Sequence, residues 1–274
     1  MRLKGVVLTI LVAVFLSGTV FAGGGSQREP GGLTLRPGVL TVGVDISYPP
    51  MEYFGPDGVT ATGFDIEMTK IIAQRLGLTP DFVNSSWEGI FAGVDTNRYD
   101  AVISSVTVTP ARVVVHNFSK PYVANTLALV LLKGSTITAQ SPEELGGLNV
   151  AFQVSTTSDF FMEELAARTG LNYIARRYET VMRCFDELRL GRVDAIVTDL
   201  LVAHDYVAPA NNPFEIVWRS GEPELFAICM KKGNNALTEA IDRVLEDMFD
   251  DGTMLKLSQD IFGMDFVTAA RESW

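Results

Sequence analysis

Short apolar runs alternate with amphipathic stretches along most of this chain. Residues 40–44 have strand character. Ile66, Met68, Ile71, Ile72 and Leu76 then recur at roughly helical spacing up to Gly77, which closes the helix. Residues 101–103 are short and fully apolar, as a strand buried on both faces requires. Residues 127–132 and 149–152 read as further strands. Helices are expected over 158–168 and 180–190, closed by Gly170 and Gly191, with a second short buried strand at 195–197. Two last helices are expected over 236–249 and 253–262. This order predicts an α/β fold with mostly parallel sheets.

One stretch is echoed. Arg98-Tyr99-Asp100-Ala101-Val102-Ile103-Ser104-Ser105 resembles Arg192-Val193-Asp194-Ala195-Ile196-Val197-Thr198-Asp199. Each copy follows a helix, runs through a buried strand and ends in two polar residues. Shared strand chemistry alone could produce such a match, but it also fits two similar sheets. In open α/β sheets ligands bind beyond the carboxyl ends of the strands, so two such ends facing one another would line a single cleft.

The first residues bear on compartment. Arg2 and Lys4 precede an apolar run over 6–16, broken only by Thr9, and Val20-Phe21-Ala22 fits a cleavage site. Residues 1–22 therefore read as a signal peptide, and the Gly-rich 23–36 as a flexible leader. The apolar run is too short to span a bilayer. No Cys follows it to carry a lipid anchor, so a soluble periplasmic protein is expected. The net charge of −11 and pI near 4.7 argue against nucleic acid and anionic membranes as partners. Cys184 and Cys229 are the only cysteines. They sit in apolar patterns and read as buried free thiols, although pairing is open. No His, Cys and carboxylate spacing suits a metal, and no cofactor is expected.

A free amino acid carries a carboxylate and an ammonium on one carbon, and each must be paired if buried. Arg112 ends the stretch Ser104-Ser105-Val106-Thr107-Val108-Thr109-Pro110-Ala111-Arg112. Thr109 reads as a helix cap and Pro110 as the first helical residue. That puts Arg112 in the first turn, where a cation opposes the helix dipole. It is either a surface arginine or one kept for a carboxylate. Asp199 ends the second echoed strand and is either a helix cap, half of a structural ion pair, or the ammonium's partner. Gln153-Val154-Ser155-Thr156-Thr157 lies between strand and helix, where backbone N–H groups can meet an anion. A plain Ser/Thr cap explains it equally. Tyr48 and Trp87 lie in loops, as walls for a ligand or as local core.

Taken in order, these stretches resemble the polar amino-acid-binding family of ABC-transporter solute-binding proteins, from about residue 40 to 263. The likeness is carried by Val42-Gly43-Val44-Asp45 with Tyr48-Pro49-Pro50, Gly63-Phe64-Asp65-Ile66, Trp87-Glu88-Gly89-Ile90 and Tyr99-Asp100-Ala101-Val102-Ile103-Ser104. Thr107-Val108-Thr109-Pro110-Ala111-Arg112, Phe118-Ser119-Lys120-Pro121-Tyr122, Gly191-Arg192-Val193-Asp194-Ala195, Thr198-Asp199 and Asp251-Gly252-Thr253 complete it. The resemblance implies two Rossmann-like α/β lobes of the type II periplasmic binding protein class, joined by two crossing strands that act as a hinge. Lobe 1 would take residues 37–124 and 227–274, and lobe 2 residues 125–226. The likeness puts Arg112 on the ligand carboxylate, helped by Ser105, Thr107 and Thr157, and Asp199 on the ammonium, with Thr156 also counted as ligand-binding. Tyr48 and Trp87 would flank the side chain, and Asp45, Ser104 and Gln153 would reach its far end. Asp65 reads as structural.

The chain departs from the family pattern at Ser155, where glycine is usual, and at Asn117 and Lys120, which replace acids outside the pocket. The implied partners are a free amino acid and the membrane permease of an ABC transporter, with the carrier a monomer. The acidic residues favour a basic ligand over a glutamine-like one by a small margin. A dehydratase on the same lobes would need a general acid, and no second carboxylate follows Asp199 until Asp205. A ligand sensor serving a receptor is the other alternative.

Overall fold

A computed structural model describes residues 32–274. The expected signal peptide (1–22) and most of the expected leader lie outside the described residues.

In chain order the strands are β1 (Val39–Val44), β2 (Tyr53–Phe54), β3 (Ala61–Thr62), β4 (Thr79–Asn84), β5 (Ala101–Val102), β6 (His116–Phe118) and β7 (Val123–Asn125). They continue with β8 (Leu127–Leu132), β9 (Asn149–Gln153), β10 (Ile174–Tyr178), β11 (Ala195–Asp199), β12 (Phe214–Arg219), β13 (Glu224–Phe226) and β14 (Cys229–Lys231). The helices are α1 (Phe64–Arg75), α2 (Trp87–Asp95), α3 (Pro110–Val115), α4 (Thr157–Thr169), α5 (Val181–Arg189), α6 (Leu200–Val207), α7 (Asn235–Asp250), α8 (Thr253–Phe262) and α9 (Thr268–Glu272).

Two five-stranded sheets form two α/β lobes, in the orders β4-β1-β5-β14-β6 and β10-β9-β11-β8-β12. The orders correspond position by position. In each sheet the first three strands run parallel, and the fourth (β14 or β8) runs antiparallel to the middle one. Four of the five strands in each sheet therefore share one direction, as the mostly parallel expectation has it, and one opposes them. The fourth strand enters each sheet from the opposite lobe, directly after a crossing strand, and so arrives reversed. The crossing strands β7 and β13 pair antiparallel, with Asn125 opposite Glu224. An apolar run shows burial on two faces but not strand direction.

The echoed stretch is structurally real. Asp100 exchanges backbone and side-chain hydrogen bonds with Thr41 at the start of β1, and Asp194 does the same with Asn149 at the start of β9. Each aspartate thereby fixes the register of the strand beside it. Tyr99 is 1% exposed, and its hydroxyl donates to the Ile90 carbonyl. Its ring fills the space over Gly43 and Gly93, where a Cβ on either glycine would overlap it.

The expected helices form. Thr180 caps α5 by accepting from the Arg183 N–H, and Gly170 closes α4 in the left-handed conformation at φ 76°. The periodicity did not show β4 and β10. Both are edge strands with half-exposed, polar-rich sequences (Thr-Pro-Asp-Phe-Val-Asn and Ile-Ala-Arg-Arg-Tyr). Cys184 and Cys229 are buried and unpaired.

Candidate functional site

The carboxyl ends of β1, β5, β9 and β11 converge on one pocket between the lobes, with about 340 Å³ of free space, mouth included. Every residue singled out from the sequence lines it: Asp45, Tyr48, Trp87, Ser104, Ser105, Thr107 and Arg112 from the first lobe, and Gln153, Thr156, Thr157 and Asp199 from the second. Glu52 also lines it and was missed. Asn117 and Lys120 stand away from the pocket, on Asn235 and Glu246.

Arg112 is placed by the short helix α3. Thr109 caps that helix, accepting from the Arg112 N–H at 3.3 Å, and Pro110 is its first residue. The guanidinium donates to the Thr107 carbonyl at 2.9 Å and lies 5.3 Å from the Trp87 ring and 5.1 Å from that of Phe91. One bond and two aromatic faces hold the fork while leaving further N–H donors for an anion. Burial lowers the Arg112 pKa somewhat from its usual value.

Asp199 is buried at the end of β11. One oxygen accepts from Tyr48 Oη, the other from Asn125 Nδ2 at 2.7 Å. It occupies the cap position of α6 but makes no capping bond, so the helix-cap alternative fails. No arginine, lysine or histidine forms an ion pair with it among the described residues. Burial raises its pKa, while its bonds to Tyr48, Glu224 and Asn125 oppose the rise. A second carboxyl, Glu224 on β13, therefore sits against it. Glu224 is not among the residues that follow Asp199 in the chain; it arrives on the crossing strand β13.

The far end of the pocket is acidic. Ser104 Oγ donates to Glu52 Oε1 at 2.8 Å, and the Ser105 hydroxyl lies between Glu52 and Asp65. Glu52 is 1% exposed. Burial and then the charge of Asp65 push its pKa well above the carboxylate range. Asp65 is raised to about 6, chiefly by burial. Asp65 is structural as expected: it accepts from the Ser105 N–H at 2.7 Å and from Tyr122 Oη at 3.0 Å. Ser105 stands at φ 50° beside it, with its hydroxyl facing the Asp65 and Glu52 carboxyls.

Ser155 also adopts a left-handed backbone, at φ 60°. A non-glycine residue there carries roughly 1–2 kcal/mol of strain. Its N–H donates to Asp159, and its carbonyl accepts from Trp87 Nε1 across the cleft at 3.0 Å. Serine thus keeps the shape glycine would give, and Thr156 and Thr157 still reach the pocket. Two more bonds cross between lobes: Gln153 Nε2 to Asp45 Oδ2 at 2.9 Å, and Tyr48 to Asp199.

Comparisons with known proteins agree with this geometry. The profile of the "Bacterial extracellular solute-binding proteins, family 3" matches residues 40–264. The L-cystine-binding protein TcyJ of Escherichia coli is 31% identical over 83% of this chain and 84% of its own length. An ancestral arginine-binding protein, solved with arginine and with glutamine, has a TM-score of 0.77 at 34% identity; in the arginine complex the match covers 82% of this chain and 98% of that one. The ancestral amino acid-binding protein AncCDT-1, a precursor of cyclohexadienyl dehydratase, has a TM-score of 0.76 at 32% identity, covering 82% and 96%.

Proposed function

Because the chain belongs to the bacterial extracellular solute-binding proteins of family 3, we propose that it is the periplasmic substrate-binding component of an ABC importer for a free polar L-amino acid. One observation carries this reading: Arg112 and Asp199, the cation and anion an α-amino acid requires, line the same buried pocket from opposite lobes. Arg112 takes the carboxylate, with Thr107 and Thr157 as further donors; the donors of Ser105 already face Asp65 and Glu52, and the Thr156 hydroxyl donates to the Gln153 carbonyl. Asp199 takes the ammonium, and Tyr48 and Trp87 flank the side chain. Bridging both lobes, the ligand favours the closed form, which a permease would recognise. In this reading the lobes are divided at 124/125 and 226/227, and export removes residues 1–22.

A basic side chain is favoured over a glutamine-like one. Among the described residues Asp45, Glu52 and Asp199 line the pocket with one cation, Arg112; burial holds Glu52 towards its neutral form, and a cationic side chain beside these carboxyls would favour their ionised forms. The similarity to an arginine-binding ancestor supports the same ligand class.

The test is a thermal-shift screen of unfolded and refolded protein against the free amino acids. Ligand that binds the native state raises the melting temperature by mass action. A rise with one or a few L-amino acids names the ligand, and no rise with any defeats the carrier reading. The second reading is a cleft dehydratase, favoured by a second carboxyl, Glu224, beside Asp199; AncCDT-1 is itself an amino acid-binding protein, so the likeness to it supports the carrier reading. Glu224 does not line the pocket. Turnover of an aromatic or hydroxy-acid substrate would be needed to establish that chemistry.

A further inference from the structure

Glu224 follows the short stretch Gly221-Glu222-Pro223. It lies on crossing strand β13 directly opposite Asn125, the residue that donates to Asp199 Oδ1. Its own carboxyl stands beside Asp199 and Thr157. Counted as a carboxylate, its Oε2 is buried without a donor. Two neighbouring carboxylates cannot both be ionised cheaply, and one proton shared between them relieves the repulsion.

Resting on the amino-acid reading above, we propose that Glu224 is a positioning residue of the ammonium subsite, which holds a proton against Asp199 in the ligand-free protein and releases it to water when the ligand ammonium binds Asp199. The ammonium supplies Asp199 with the donors the proton had supplied, and its positive charge favours ionised Glu224. The charged and titratable groups facing Glu224 are Asp199 on β11, Arg112 on α3 and, through Asp199, Tyr48. Glu164 and Glu222 lie along the groove that opens beside it and are exposed. Burial and the charge of Asp199 push Glu224 up to about 8, against the opposing pull of Thr157 and Arg112, so near neutrality the proton is present to be released. Capture and proton release are then reciprocally linked.

The experiment is isothermal titration calorimetry of the ligand-stripped protein between pH 6 and 8, with a panel of L-arginine, L-lysine, L-histidine, L-glutamine and L-cystine. Each pH is run in two buffers of different ionisation enthalpy. Release of roughly one proton near pH 7 is expected, with affinity rising towards tenfold per pH unit. In Glu224→Gln, which keeps a donor for Asp199, the release disappears. Its affinity should match the parent near pH 6 and fall behind by pH 8. Binding with buffer-independent heats in the parent protein, or an unchanged pH profile in Glu224→Gln, overturns the proton linkage while leaving the carrier reading intact. Failure of every amino acid to bind at any pH overturns the carrier reading itself.

Discussion

Replacing Arg112 with alanine is the sharpest test of how the pocket holds its ligand. Among the described residues the arginine is the only cation lining the pocket, and its fork is fixed by the Thr107 carbonyl and by the rings of Trp87 and Phe91. In Arg112→Ala the ligand carboxylate is buried with hydroxyl and backbone donors but no counter-charge. Removing one partner of a buried, hydrogen-bonded charge pair costs about 3–5 kcal/mol. That corresponds to a loss of roughly 150- to 5,000-fold in affinity. Arg112→Lys keeps the charge but not the planar fork, so it should fall between. The ligand-free fold loses two cation–π contacts, each worth ~0.5–1 kcal/mol. Its melting temperature should drop by only a few degrees, at ~2–4 °C per kcal/mol for a chain of this size. Calorimetric titration with the amino acid found by screening, together with a melting curve without ligand, separates the two effects. Affinity within about tenfold of the parent would show that the carboxylate is held elsewhere.

Asp199→Asn should weaken binding by about 2 kcal/mol or more, since a charged hydrogen-bond acceptor is lost. It should leave the ligand-free melting temperature within a few degrees of the parent, because Tyr48 and Asn125 can still share the amide; a collapse of that temperature would assign Asp199 a structural role instead. Gly93→Ala should destabilise by about 1–3 kcal/mol through overpacking against Tyr99, despite the better helix propensity of alanine. A melting temperature that rises would refute the wedge described for that ring. Ser155→Gly relieves the left-handed strain but adds freedom to the unfolded chain, so a net gain on the order of 1 kcal/mol or less is expected; a clear loss in a urea titration would contradict it. Finally, Glu52, Asp65 and Glu224 all have folded pKa values above their unfolded ones. Between about pH 4.5 and 8 the folded state therefore binds the extra protons, and stability without ligand should fall as pH rises through that window. Scanning calorimetry at pH 5 and pH 8 measures the difference, and equal or greater stability at pH 8 would rule out those shifts.

Much of the fold was legible along the chain. The apolar runs of β1, β8, β9 and β11 and the helices closed by Gly77, Gly170 and Gly191 are local signals, because each is written in a short window of periodicity and capping. The echo of Arg98–Ser105 in Arg192–Asp199 marked the two middle strands, and hence the ends where Ser104, Ser105 and Asp199 gather. Edge strands β4 and β10 were silent because half-exposed strands carry polar residues. Glu52 left a faint trace, as a lone acid between Met51 and Tyr53 just after Tyr48-Pro49-Pro50. Glu224 left none.

The division has a physical cause. Residue order specifies which segments become strands or helices, where they stop, and which side chains stand at their ends. It also supplied Arg112 and Asp199 as a cation and an anion in need of partners. Direction and juxtaposition depend on contacts between segments far apart in the chain. Antiparallel β14 and β8 follow from the double crossing between lobes, and Glu224 meets Asp199 because β13 pairs with β7. Which carboxyl holds a proton follows in turn from burial and the nearest charge, and these come into being only when the two crossing strands bring the lobes together.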